Sequence, residues 1–251
     1  MFDPMDWDLP ASNDEPERQP LSDLVVVYDA TQECPYLEDR IARMPLEFPR
    51  RPLMATDVDQ LLEHGYRRTG SMFYRTHCPA CRECIPTRVD VSAFQETRSM
   101  RRVLHRGRRE LKIELGVPRV DARRVQLFNE HREHRELSRN GPASESDYRE
   151  FLVTTSIETL EMSFQLDGSL IGAAILDFGA RSLNAVYTYF ETSARRYSIG
   201  TLAILKQLEL ARETGRQFVY LGLFVEDNAH LNYKARFRPQ QRLINGGWQD
   251  A

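Results

Sequence analysis

The chain has 251 residues, 41% hydrophobic and 28% charged, with a formal net charge of −3. That composition suits one large globular domain or two small ones and excludes a wholly disordered chain. No run approaches about 18 uncharged apolar residues, so no membrane-spanning helix is expected; the acidic start lacks the layout of a secretion signal, which makes the cytoplasm the expected compartment.

The charge is unevenly spread. Residues 1–20 hold Asp3, Asp6, Asp8, Asp14, Glu15 and Glu17 against Arg18. With its prolines, segment 1–22 reads as an acidic disordered tail. The β-branched run 24–28 predicts a strand, and Pro35 marks a turn beside Cys34. Residues 57–65 predict a helix capped by Thr56, with Val58, Leu61 and Leu62 on one face and Gly65 at its end. A strand over 71–75 leads into Cys78-x-x-Cys81-x-x-Cys84, and 85–91 reads as another strand. Thiols spaced by two residues can converge on one ion, and Cys34 can supply a fourth. Zinc or an iron–sulfur cluster is therefore a candidate, with metal-free cysteines as the alternative.

Segment 98–112 predicts a helix carrying Arg98, Arg101, Arg102, Arg106, Arg108, Arg109 and Lys112 against Glu110. Most charge runs are only a solvated face. This density exceeds what solubility needs and reads as a footprint for phosphates.

Amphipathic helices are predicted over 121–137 and 146–160, separated by Asn140-Gly141-Pro142. Strands over 160–166 and 170–178 flank Asp167-Gly168-Ser169, a hairpin signal. Residues 182–191 alternate as a third strand, through Leu183, Ala185, Tyr187 and Tyr189. A helix over 199–213 turns Leu202, Leu205, Leu208 and Ala211 inward and ends at Gly215, and 217–225 is a further strand. This order predicts an α+β fold, with a small cysteine-containing domain over 23–97 and a larger domain over 98–251.

The larger part matches the element order of the N-acetyltransferase type of acyltransferase. There, the loop before the main helix cradles a pyrophosphate. Residues 195–201 resemble that loop, with Ser198 in place of its first glycine and Gly200 retained. Free N–H groups at a helix start, aided by Arg195 and Arg196, suit an anion. An ordinary strand–helix turn is the alternative reading.

Several segments together resemble the aminoacyl-tRNA–protein transferase family. They are 34–37 and 74–88 around the cysteines, 95–102, 185–190, 198–205, 220–222 and 232–239. The resemblance covers about residues 23–240 and is greatest to the short bacterial branch, the aspartate/glutamate leucyltransferases. The eukaryotic arginyltransferases are longer and carry a second cysteine where this chain has Leu37.

The resemblance implies transfer of a leucyl group from leucyl-tRNA to the α-amino group of proteins beginning with Asp or Glu. The new N-terminal leucine is then a degradation signal. No nucleotide cofactor is required, because the ester is already activated. An acidic acceptor side chain calls for a cation, for which Arg75, Arg88, Lys234 and Arg236 are candidates. Glu226 and Asp227 are candidates to deprotonate the amine. Tyr187, Tyr189 and Tyr233 are candidates to polarise the ester or stack on the terminal adenosine, with core packing as the alternative. The competing readings are an arginyl-tRNA donor, an acetyl-CoA-dependent N-acetyltransferase and a non-catalytic RNA-binding module.

Overall fold

The computed structural model describes residues 23–138 and 141–251, so the acidic segment 1–22 lies outside the described residues. The N-terminal portion is built of short strands: β1 (Leu24–Tyr28), β2 (Thr31–Glu33), β3 (Ile41–Arg43) and β4 (Leu46–Pro49). Then come helix α1 (Ala55–Glu63), strands β5 (Arg67–Thr69), β6 (Met72–Tyr74) and β7 (Ile85–Asp90), helix α2 (Arg98–Glu110) and strand β8 (Lys112–Gly116). The rest comprises helices α3 (Ala122–His134) and α4 (Glu145–Tyr148), strands β9 (Thr159–Leu166), β10 (Ser169–Phe178) and β11 (Ser182–Phe190), helix α5 (Ile199–Glu213) and strands β12 (Phe218–Phe224), β13 (Gln241–Ile244) and β14 (Gly247–Asp250).

An eight-stranded sheet, ordered β14-β13-β7-β12-β11-β10-β9-β8, organises the molecule. β10 shows why it has two covered faces. Ala174, Leu176 and Phe178 join the core under α2 and α5, whereas Ala173 and Ile175 join the aromatic cluster under α3 and α4. The period of two thus delivers apolar side chains to both layers. The β9–β10 hairpin closes through Asp167 (φ 49°) and Gly168 (φ 80°), the left-handed pair that matches the twist of the strands. α2 lies close against α5 because Gly107 has no side chain: a Cβ there would stand 2.7 Å from Leu202 Cδ2.

A smaller sheet, β1-β4-β6-β5, and the ribbon β2-β3 sit beside this layer. β7 belongs to the large sheet, between β12 and β13. A domain boundary at residue 97 therefore does not separate two sheets, and the first third of the chain supplies a central strand of the second part.

Three predicted elements change. The helix over 98–112 stops at Glu110, because Leu111 is extended (φ −115°, ψ 140°) and Lys112 opens an edge strand against β9. The helix over 146–160 is shorter: α4 runs into a π-helical turn, Arg149–Val153, and ends before the β-branched pair Thr154-Thr155. The cap of α1 is not Thr56. Asp57 instead reaches back to accept from the Met54 amide at 2.7 Å.

Candidate active site

The cleft arises where two parallel strands part. β11 and β12 pair only over Ser182–Asn184 against Phe218–Tyr220, although both continue well beyond. Past that point the hydrogen-bond ladder opens. Ala185 through Thr188 form one wall and Leu221 lies on the other, enclosing about 710 Å³. Parallel strands joined by a crossover helix leave such a crevice at their carboxyl ends, where the helix also begins. That helix is α5, entered through Ser198 in the left-handed conformation (φ 51°, ψ 50°). Ser198, Gly200 and Thr201 line the cleft, so unpaired N–H groups and the positive helix end face into it. Tyr28, Pro35, Tyr36, Arg67 and Tyr74 of the N-terminal portion also line it.

The charge of this cleft is one-sided. Arg67, Arg135, Arg195, Lys234 and Arg236 line it together with His131 and His230, Arg68 borders it but is paired with Asp177, and among the described residues no aspartate or glutamate lines it. Burial, then the Arg67 and Arg135 guanidinium groups, hold the Lys234 amine well below its ordinary range, and its Nζ donates to the Leu223 carbonyl. Burial lowers His131 to about 4, so its ring is neutral near pH 7, and Nδ1 accepts from the Phe190 amide at 3.3 Å.

Comparison with known proteins places this architecture. The family model described as arginine-tRNA-protein transferase, N terminus, matches residues 32–102, and its C-terminus counterpart matches 123–244. An aspartate/glutamate leucyltransferase of Aeromonas hydrophila subsp. hydrophila is 36% identical over 222 residues, covering 87% of this chain and 91% of that protein. The protein of the same description from Marinobacter nauticus is 34% identical over 233 residues, 92% of this chain and 97% of that one. The chain belongs to the arginine-tRNA-protein transferase family. Among solved structures, FemX is similar in fold alone, with a TM-score of 0.50 and 11% identity over 83% of this chain and 71% of that chain.

Within this transferase, the predicted site residues separate into three groups. Lys234, Arg236, Tyr187, Tyr233, Arg195, Ser198 and Gly200 line the cleft. Tyr233 and Tyr187 are partly buried, and burial pushes both phenols up, so each remains a neutral hydrogen-bond donor.

The basic residues of α2 lie outside the cleft. Arg98, Arg101, Arg102, Arg106, Arg108 and Arg109 are all exposed, while Met100, Leu104 and Gly107 face inward. Arg106 donates to the Arg196 carbonyl, which joins this stripe to the turn bearing Arg195. Arg196 itself donates to the Tyr197 hydroxyl and sits 3.4 Å from Glu110.

Five further predicted site residues lie outside the cleft lining. Tyr189 is fully buried, its hydroxyl 2.6 Å from that of Tyr148 inside the α3–α4 cluster, so it faces no substrate. Arg88 does not line the cleft. It is buried, stacked 3.8 Å over Phe218 and 4.2 Å over Trp248, and bound to Glu63 at 2.5 Å, which locks the β13–β14 hairpin onto β7. Arg75 lies 5.0 Å over the Tyr66 ring, outside the cleft lining. Glu226 and Asp227 occupy an exposed turn after β12, and neither lines the cleft.

The four cysteines do come together. Cys34 and Cys78 are buried beside Ala42, with Cys81 packed against them, and all four thiols are free. Burial, and then the nearness of Cys34, Cys78 and Cys81, pushes the Cys84 thiol up to about 12. Among the described residues, however, no three His, Cys, Asp or Glu side chains are arranged to hold a metal ion.

Sequence reasoning missed Arg67, Arg135, His131 and Asn228. The last donates its side-chain amide to the Tyr36 carbonyl at 2.8 Å and ties the 226–231 turn to the N-terminal portion. The pair Arg67-Arg68 before the Gly70 turn carried a usable signal. In a strand the two must point to opposite faces, so one of them enters the interior. Among the described residues no helix is long and apolar enough to cross a membrane.

Proposed function

We propose that this protein moves the leucyl group of leucyl-tRNA onto the α-amino group of polypeptides beginning with Asp or Glu. The single observation that carries the reading is a cleft lined by cations with no carboxylate among its described residues. An arginyl donor would bring its side chain against like charge, at about 4 kcal/mol per pair at 4 Å for an effective dielectric near 20. A leucyl side chain meets Phe151, Val186 and Leu221 instead. The same charge suits the phosphates of a tRNA end and the carboxylate of an acidic first residue. The named activity of the Aeromonas and Marinobacter relatives agrees with this donor and acceptor.

The reaction balances without an added cofactor. The acceptor amine attacks the ester carbonyl, an amide C–N bond forms, and the C–O bond to the terminal ribose breaks. The proton lost by the amine ends on the ribose hydroxyl. An α-amino group has an ordinary pKa of about 8, and neighbouring cations disfavour its protonated form. The cleft thereby raises the fraction of reactive amine without a carboxylate base. The positive α5 terminus and a neutral Tyr233 hydroxyl suit the oxyanion that develops on the ester carbonyl. The remainder of the acceleration comes from holding the two substrates together.

The test is a transfer assay with labelled leucyl-tRNA and arginyl-tRNA, offered separately to peptides beginning with Asp, Glu, Lys or Ala. Leucine on the Asp and Glu peptides alone is the expected result. Arginine transfer would overturn the donor assignment, and transfer to the Lys peptide would overturn the acceptor assignment.

A further inference from the structure

Arg67 and Arg68 are neighbours with opposite circumstances. Arg68 is spent on the interior: it binds Asp177 at 3.0 Å and donates to the Gly70 carbonyl at 3.0 Å. Arg67 turns to the other side of β5 and lines the cleft. Its guanidinium lies along β12 so closely that a Cβ at Gly222 would stand 3.3 Å from Nη2. It donates to the Tyr36 hydroxyl at 3.3 Å and lies 5.8 Å over the Tyr74 ring. Among the described residues no carboxylate pairs with it. A guanidinium has five N–H donors, so most of this fork remains available.

Lys234 is held beside it. Its Nζ donates to the Leu223 carbonyl of β12, and burial, then the Arg67 and Arg135 charges, disfavour its protonated form. With no anion between them, Arg67 and a protonated Lys234 would repel one another. A bound carboxylate removes that repulsion and meets a planar fork of matching geometry. The helix N-terminus and Arg195, which suit the tRNA phosphates, lie at the end of β11, on the other wall. The β12 wall is thus left for the acceptor.

We propose that Arg67 is the residue that reads the acidic first side chain of the acceptor, clamping its carboxylate with two parallel hydrogen bonds while Lys234 adds charge beside it. This rests on the function proposed above. Tyr36 and Tyr74 hold the guanidinium plane, and the glycine at position 222 gives the fork room to lie on β12. Glutamate and aspartate both fit, because the clamp grips the carboxylate and not the length of its stem. An asparagine of the same shape as aspartate presents an amide N–H₂ to the donors and is refused.

The experiment compares the full chain with Arg67→Gln and Arg67→Lys, using saturating leucyl-tRNA and two peptides that differ only in Asp or Asn at the first position. The wild type is expected to favour Asp strongly. In Arg67→Gln the Asp:Asn ratio of kcat/KM should fall at least about tenfold, chiefly through the KM of the Asp peptide. Any loss on the Asn peptide or in the affinity for leucyl-tRNA should be several-fold smaller than the loss on the Asp peptide. Arg67→Lys keeps the charge without the fork and should fall in between; if Arg67→Gln does not fold, a drop in the Lys variant's ratio carries the inference. An unchanged ratio in the folded variants, or equal losses on both peptides, overturns it. A wild type that transfers leucine to neither peptide overturns the underlying function, an outcome visible before any variant is read.

Discussion

Two buried ion pairs show how differently the same residue type is used here. Arg68 and Asp177 are each 1% exposed in their side chains, and Asp177 also accepts from Thr159 Oγ1 at 2.8 Å and Asn184 Nδ2 at 3.1 Å. Arg124 binds Glu161 in a similar way under α3, at 2.5 Å. Removing one partner of such a pair leaves an uncompensated charge in a dry interior. Asp177→Asn should therefore lower stability by about 3–5 kcal/mol, read as a drop in the urea midpoint at unchanged slope. His131 gives a pH dependence with a definite sign. Its folded pKa of about 4 lies below the ordinary 6.5, so below that value the unfolded chain binds a proton that the folded chain refuses. Its contribution is intact above pH 6.5 and is lost as the pH falls toward 4. From pH 7 to 5 the wild type should lose about 2 kcal/mol more than His131→Asn, in paired urea titrations. At this scale the sequence was legible for side-chain chemistry and blind to partners. Arg75, Arg88, Lys234 and Arg236 were equivalent candidates as letters, whereas the aromatic stack around Arg88 exists only in the folded state.

At the level of elements, strands β9 to β12 and helices α3 and α5 are where their apolar periods place them, since those periods follow from backbone geometry alone, whereas the helix expected over 146–160 gives way to a short helix and a π-helical turn. The short strands were harder. β2, β3, β13 and β14 have three or four residues each, too few for a period of two to show. The β5–β6 turn illustrates a constraint that only packing reveals. Gly70 has φ +59°, and a Cβ there would lie 2.4 Å from the Glu150 carbonyl oxygen of the π-helical turn. Gly168 has φ +80° with nothing within 4 Å. Alanine at Gly168 should cost only about 1 kcal/mol from backbone strain, whereas Gly70→Ala adds a backbone collision and should cost about 3 kcal/mol or more. Thermal or urea unfolding of the two variants checks the ordering. A Gly70→Ala protein as stable as Gly168→Ala would mean that the N-terminal hairpin does not bear on the 149–153 turn in the way described.

Over the whole molecule, charge is laid out as a path. The exposed arginines of α2 lead through the Arg106 contact with the 196 carbonyl to Arg195 and the start of α5, and so into the cleft. Arg98, Arg101 and Arg102 face solvent with no acidic partner among the described residues. Changing all three to Glu should leave the unfolding transition in place. It should weaken leucyl-tRNA binding at low salt by at least about tenfold and flatten the dependence of log K on log salt by roughly two units, at about 0.7 per single-strand phosphate contact. Unaltered affinity would remove the tRNA role from this helix.

The sequence by itself determined the mixed α and β order, the basic helix, the anion-suited start of the long helix and the kinship to the transferase family. All of these are written in local periodicity, composition and contiguous motifs. Only the tertiary structure decided which cations reach the cleft, that no carboxylate among the described residues joins them there, and that Arg67 meets no carboxylate among those residues while its neighbour is held by Asp177, 109 positions away. The physical reason is that a strand's period assigns a side chain to a face but not to what is packed against that face. That depends on long-range strand pairing, including the parting of β11 and β12, which no local stretch encodes.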